Sequence, residues 1–219
     1  MTATLLSPPV TLDTWTALPW AQYLDLLEDP AYNRAKAYYY NGLMRLEMSP
    51  LGNPHSRDHF IVMTAIALYA SLKGIDLDGH DNCTFRKAGY AEVQPDVAVY
   101  VDDRSELIPW DTVIIDLERY PVPDLAIEVS ASSLADDQGP KRLLYEALGV
   151  REYWIVDVER AEIVALAVRD RGSYRIEESL VLPGLGIALL EEALRRSRTS
   201  NHGKVSAWLL EQWQDGSPT

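Results

Sequence analysis

The run from Leu125 to Ser130 is apolar on both faces, with Leu125, Ile127 and Val129 alternating with Ala126, Glu128 and Ser130. Such a run predicts a central strand covered on both sides. It also carries an acid where a charge needs a partner. An acidic loop, Ser132–Gly139, follows. A helix is then predicted from about Lys141 to Leu148, because Lys141, Leu144, Tyr145 and Leu148 recur at i, i+3, i+4 and i+7. Lys141 therefore lies on the apolar stripe. Gly149 closes this helix, and Glu152–Val158 reads as another strand, with Tyr153 in the core and Trp154 at its rim. Upstream, Glu92–Val101 reads as one strand. Val93, Val97, Val99 and Val101 face one way, Gln94, Asp96 and Ala98 the other, and Pro95 marks an irregularity beside Asp96. Ala98 and Ala126 are small residues on the faces of Asp96 and Glu128. They leave room for a metal or substrate, or for a closely packed helix.

The remaining pattern supplies the frame. Residues 1 to about 14 read as a loose arm, and Pro19–Glu28 as a short helix. Lys36–Met48 reads as a hairpin turning at Asn41-Gly42. In its second arm Met44, Leu46 and Met48 share one face, and Arg45 and Glu47 the other. Ser49 to Pro54 is a predicted loop, and His55 follows it. A helix is expected from about Arg57 to Lys73, capped by Ser56, striped by Ile61, Val62, Ala65, Ile66, Tyr69 and Ala70, and ended by Gly74. His55 and His59 would meet only if that helix began earlier. An Asp/Gly-rich turn, a strand at Cys83–Lys87 and a polar excursion over Asp102–Val122 come next. Asp124 reads as a structural acid at a strand start. Glu162–Val168 and Tyr174–Leu180 form an expected antiparallel pair. Ile187–Arg196 and Val205–Trp213 are expected closing helices, with Arg195, Arg196 and Arg198 a solvated helix end. The implied organisation is an arm and short helix over 1–33, one α/β domain over 34–190, and a helical extension of it over 191–219.

Charge and composition narrow the chemistry. The net charge of −13 over 219 residues disfavours nucleic-acid binding through a broad basic face, yet it suits carboxylates gathered round a divalent ion. The one cysteine, Cys83, excludes an intrachain disulfide framework and the usual cysteine zinc sites. No apolar run is long enough to span a bilayer. The N-terminal sequence has no basic residue ahead of its short apolar stretch, so no secretory signal is read there. A cytoplasmic protein without a membrane partner is expected.

Two carboxylates and a lysine are a recurrent solution to phosphodiester hydrolysis. The acids hold a hard cation such as Mg²⁺ or Mn²⁺ through oxygen, and the lysine orients water or offsets developing negative charge. Asp96, Glu128 and Lys141 are the residues this chain offers. Gln94-Pro95-Asp96, Glu128-Val129-Ser130 and the Lys141 helix running into Gly149-Val150-Arg151-Glu152-Tyr153-Trp154-Ile155-Val156-Asp157 resemble the Uma2-type restriction-endonuclease family. That family lies within the PD-(D/E)xK nuclease superfamily. The resemblance spans roughly residues 34 to 190 and includes Glu47-Met48-Ser49-Pro50 with His55 after it. It implies an α+β fold of restriction-endonuclease-like type: a mixed central sheet flanked by helices, with an N-terminal hairpin and C-terminal helices. It further implies Asp96, Glu128 and the Val129 backbone carbonyl as metal ligands, and a Mg²⁺- or Mn²⁺-dependent endonuclease acting on DNA, with RNA left open. The lysine of the plain motif, two residues after the glutamate, is Ser130 here, and Lys141 is its displaced substitute. Relatives carry an acid before the hairpin turn, where this chain has Tyr38 or its neighbours. Glu47, His55, Gln94 and Tyr145 are supporting candidates, the Tyr145 hydroxyl being expected near Lys141. A homodimer is expected, since duplex cutting uses paired sites and two-fold symmetry is the commonest assembly. The rival reading is a catalytically weak nuclease-like fold used as a binding or assembly module.

Overall fold

The computed structural model describes residues 10–48 and 52–215. Residues 1–9 of the expected arm, residues 49–51 of the expected loop (including Ser49-Pro50 of the hairpin motif) and residues 216–219 lie outside the described residues. The chain runs β1 (Thr16–Ala17), α1 (Trp20–Leu27), β2 (Lys36–Tyr40), β3 (Leu43–Glu47), α2 (Asn53–Lys73), β4 (Leu77–Asp81), β5 (Phe85–Lys87), β6 (Ala91–Val93) and β7 (Val97–Val101). It continues through β8 (Ile115–Asp116), β9 (Leu125–Ser130), α3 (Leu134–Gln138), α4 (Pro140–Leu148), β10 (Glu152–Asp157), β11 (Glu162–Arg169), β12 (Gly172–Arg175), α5 (Ile187–Ser197) and α6 (His202–Asp215).

Among the described residues the strands form two six-stranded sheets, ordered β1-β3-β2-β6-β5-β8 and β12-β11-β10-β9-β7-β4. Both are mixed, and the second carries the acids. In it β9 pairs parallel with β10 and antiparallel with β7. Its two faces are both covered, as the apolar run of β9 requires. On one side Val97, Val99, Leu125, Ile127, Val129 and Trp154 pack with α2, α5 and α6. On the other, Ala98, Tyr100, Ala126, Tyr153 and Ile155 pack with Tyr38, Phe85 and Val93 of the first sheet and with Leu144 and Tyr145 of α4. The first sheet has its own outer core, where Tyr23 of α1 meets Ala37, Tyr39, Met44 and Leu46 of the hairpin. The site lies between the sheets.

Several boundaries differ from the sequence pattern, each for a local reason. The hairpin turn is as expected, with Asn41 and Gly42 at φ 48° and 86°. Helix α2 begins at Asn53, because Pro54 in its first turn needs no intrahelical donor. Ser56 is thus inside the helix, and His55 and His59 meet edge to face, 5.9 Å between ring centres. The single strand expected over Glu92–Val101 is two strands in different sheets. Pro95 has no N–H to continue a ladder, so the chain crosses between sheets there, and Val93 joins the core opposite to that of Val97. The expected turn before Cys83 contains β4, an edge strand whose polar sequence gave no alternation. The acidic loop holds α3. Strand β12 is shorter than expected and turns from β11 through Asp170 and Arg171, both at positive φ. Trp154 is fully buried rather than at a rim. Arg198 is no solvated end: it holds buried Asp58 with two 2.7 Å bonds. Arg195 and Arg196 do stay at the surface, paired with Glu192. No helix among the described residues is long and apolar enough to cross a membrane.

Asp124 is structural, as its strand-start position suggests. It is fully buried, accepts the Val101 amide at 3.1 Å and pairs with Arg104 and Arg151. Asp124→Ala is expected to cost about 1–3 kcal/mol, since it leaves the buried Val101 amide unpaired while the two partly exposed arginines turn to solvent. Urea unfolding measures this; a midpoint equal to that of the parent would refute it.

Candidate active site

Asp96 precedes β7 and Glu128 lies within β9. The ladder pairs Val97 with Ile127, so continuing it by one residue brings Asp96 opposite Glu128 on the face toward the first sheet. Both carboxylates are buried. Asp96 Oδ2 accepts the Val129 amide at 2.6 Å and lies 3.5 Å from His55 Nε2. Asp96 Oδ1 and Glu128 Oε2 approach one cation, the Lys36 ammonium, at 2.8 and 3.3 Å. Glu128 also accepts the Tyr38 hydroxyl at 2.9 Å and the Tyr145 hydroxyl at 2.7 Å on Oε1. Tyr145 therefore serves Glu128 and not Lys141, as its position one turn after Lys141 on the buried face of α4 allows.

Lys141 opens α4 and is 1% exposed. Its ammonium is 2.9 Å from Asp137 Oδ1, 3.0 Å from Glu47 Oε1 and 3.8 Å from Glu128 Oε2. The Tyr38 ring centre is 4.1 Å away, close enough for a cation–π contact. Arg45 Nε shares Glu47 Oε1 at 2.8 Å. Gln94 bonds the Asn82 carbonyl through its side chain, while its own carbonyl accepts Tyr38. Lys36, Glu47, His55, Gln94, Asp96, Glu128 and Lys141 line a cleft of about 460 Å³ that also takes in the exposed Asn33, Arg34 and Ser132. All the expected residues thus gather at one place: Asp96, Glu128, Val129 and Lys141 together with Glu47, His55, Gln94 and Tyr145. Sequence reasoning missed Lys36 and Asp137, and saw Tyr38 only as a departure from the family pattern.

Electrostatics push the two strand carboxyls apart. Burial drives Glu128 up to about 7, against the pull of Lys141 and Lys36. Burial also works upward on Asp96, but the Lys36 ammonium, His55 and the Val129 amide together hold it well below the carboxylate range. Burial lowers Lys36, yet Glu128 and Asp96 outweigh it and leave its pKa raised. Lys141 is likewise raised, its burial being overcome by Glu128, Asp137 and Glu47. Asp96 is an anion at all ordinary pH, whereas Glu128 exchanges its proton near neutrality.

The donor set is small. Among the described residues there is no group of three or more His, Cys, Asp or Glu side chains that could hold a metal. Two carboxylate oxygens converging on one positive charge suit an ion that keeps most of its water and takes one or two carboxylates, which is the habit of Mg²⁺.

The family model for Uma2, described as "Putative restriction endonuclease", matches residues 20–200. The chain belongs to the Uma2 family. Its fold is similar to that of a crystal structure from Anabaena variabilis ATCC 29413, described as "a putative nuclease belonging to DUF820". That likeness has a TM-score of 0.54 at 16% identity, over 88% of this chain and 99% of the other. No curated protein matches the chain. For this Uma2 protein the family supports a nuclease, a hydrolase of nucleic acid.

The raised Glu128 gives a pH prediction. Its carboxyl, ordinarily near 4.5, holds a proton up to about 7 when folded. The folded state thus binds a proton that the unfolded state has lost, and its stability falls as pH climbs through that window. Infrared titration of the metal-free protein should show a protonated carboxyl band disappearing near pH 7. The band should be absent in Glu128→Gln; a band that persists there would belong to another acid.

Proposed function

We propose that this Uma2-family protein is a metal-dependent endonuclease hydrolysing phosphodiester bonds in DNA, with RNA open to the same chemistry. The observation that carries the reading is the convergence of Asp96 Oδ1 and Glu128 Oε2 on one positive charge inside a cleft. Asp96, Glu128 and the Val129 carbonyl are assigned to hold Mg²⁺ or Mn²⁺. When bound, the ion supplies a Lewis acid for the phosphoryl oxygen and lowers the pKa of the attacking water.

The chain's own groups do the rest. Asp96 supplies fixed negative charge, oriented by the Val129 amide and His55. Tyr38 and Tyr145 fix the Glu128 carboxyl by donating their hydroxyls to it. Lys141 is assigned to assist the attacking water. Glu47 and Asp137 hold its ammonium in place behind Glu128, and its charge opposes the build-up of negative charge in the site. Glu47 and Gln94 act as supports, Glu47 on Lys141 and Gln94 on Tyr38. A homodimer would present two such clefts to a duplex.

The test is direct. The purified chain is incubated with supercoiled plasmid, single-stranded DNA and RNA, with Mg²⁺, Mn²⁺ or chelator. Nicking that needs the metal supports the reading and identifies the substrate. Intact nucleic acid under every condition would remove it.

A further inference from the structure

We infer that Lys36 and the divalent ion are alternative counter-cations of the Asp96–Glu128 pair, so that the ion must displace the Lys36 ammonium to bind. The inference rests on the metal-binding assignment above. Lys36 comes from β2 in the first sheet, whereas the two acids belong to the second. Its ammonium touches Asp96 Oδ1 and Glu128 Oε2, the same two oxygens that face the proposed ion. A divalent ion at those oxygens would repel an ammonium held against both of them about twice as strongly as a second singly charged group would.

The two lysines are held differently. Lys141 is enclosed at 1% exposure by carboxylates from three elements or their flanks. Lys36 is 18% exposed, lines the cleft, and has no other acid within ion-pair distance among the described residues. Its four-carbon stem is flexible and its ammonium strongly hydrated, so it has somewhere to go when the ion arrives. The open side of the cleft, toward the exposed Asn33 and Ser132, is where it would go. In a chain of net charge −13, a released ammonium there gives an entering phosphate a contact that the resting protein withholds. Ion binding and phosphate contact are thereby linked through one side chain.

Calorimetric titration of Mn²⁺ at about pH 7.5, where the proton on Glu128 competes little, tests this on parent, Lys36→Met and Lys36→Arg. Lys36→Met should bind Mn²⁺ about tenfold tighter than the parent or better, and Lys36→Arg no tighter than the parent. Lys36→Met binding no tighter than the parent would overturn the inference. Should Lys36→Met fail to fold, the parent alone decides: the Lys36 ε-CH₂ and ammonium NMR signals, assigned through Lys36→Arg, should move and sharpen on Mg²⁺ addition. Unmoved signals at saturating ion would overturn it. Tighter binding in Lys36→Met with no nucleic acid cut by any form would keep this inference and remove the nuclease reading. Cutting by the parent without that tightening would do the reverse.

Discussion

Asp96→Asn and Glu128→Gln are each expected to lower metal-dependent cleavage by at least about a hundredfold, the scale on which removing one preorganised electrostatic group acts. Both keep the side-chain shape, so the fold should survive, but at different cost. Asp96 is held ionised by Lys36, His55 and the Val129 amide. Asparagine there leaves a half-buried ammonium short of a partner, a loss of about 1–3 kcal/mol. Glu128 already takes up a proton near pH 7, and glutamine imitates that neutral form while still accepting the tyrosine hydroxyls. Its stability cost at neutral pH should be the smaller of the two. Single-turnover cleavage of plasmid, beside urea unfolding of the same samples, separates chemistry from folding. Variants that cut as fast as the parent would refute the assignment of both acids. A parent that never cuts but holds a stable protein partner would leave the nuclease-like fold as a binding module.

The sequence carried the elements of this site better than their meeting. Strand β9 was legible because a run apolar on both faces has one stable position, in the middle of a sheet. Helix α4 was legible because Lys141 shares a stripe with Leu144, Tyr145 and Leu148, and Gly149 closes it with φ 81°. Period-two alternation tells which residues share a face, but not what stands opposite. Lys36 meets Asp96 across 60 residues of chain, and Tyr38 meets Glu128 across 90. Part of this was nevertheless within reach. A two-residue turn at Asn41-Gly42 sets the hairpin register, pairing Lys36 with Glu47 and Tyr38 with Arg45. If Glu47 was a site residue, Lys36 had to lie beside it. Edge strand β4 had no such signal, because one neighbour and one half-wet face impose little pattern.

Lys141→Met is expected to be the most damaging single change to the fold among the site residues, at about 3–5 kcal/mol. Methionine fills similar space, so the loss is electrostatic: Glu47, Asp137 and Glu128 lose their common cation, and the Tyr38 face loses its cation contact. Asp137 is itself fully buried, with Ser133 as its remaining donor at 2.6 Å. The sign of the pH dependence follows. Lys141 pulls the Glu47 and Glu128 carboxyls down, so without it both are pushed up and the deficit against the parent should narrow as pH falls. Asp137→Asn should cost much less in the Lys141→Met background than in the parent, because one of the stranded charges is removed with it. Urea unfolding of the four proteins measures the coupling. A parent-like midpoint for Lys141→Met, with additive losses in the double variant, would mean that the remaining cations already neutralise the cluster and that Lys141 is dispensable to the fold. In that case a loss of cleavage in Lys141→Met, measured where the variant is fully folded, would belong to the chemistry alone. If the losses are coupled instead, the lysine displaced onto the helix serves first as the keystone of a buried charge cluster, and acts on the reaction through the Glu128 it holds in place.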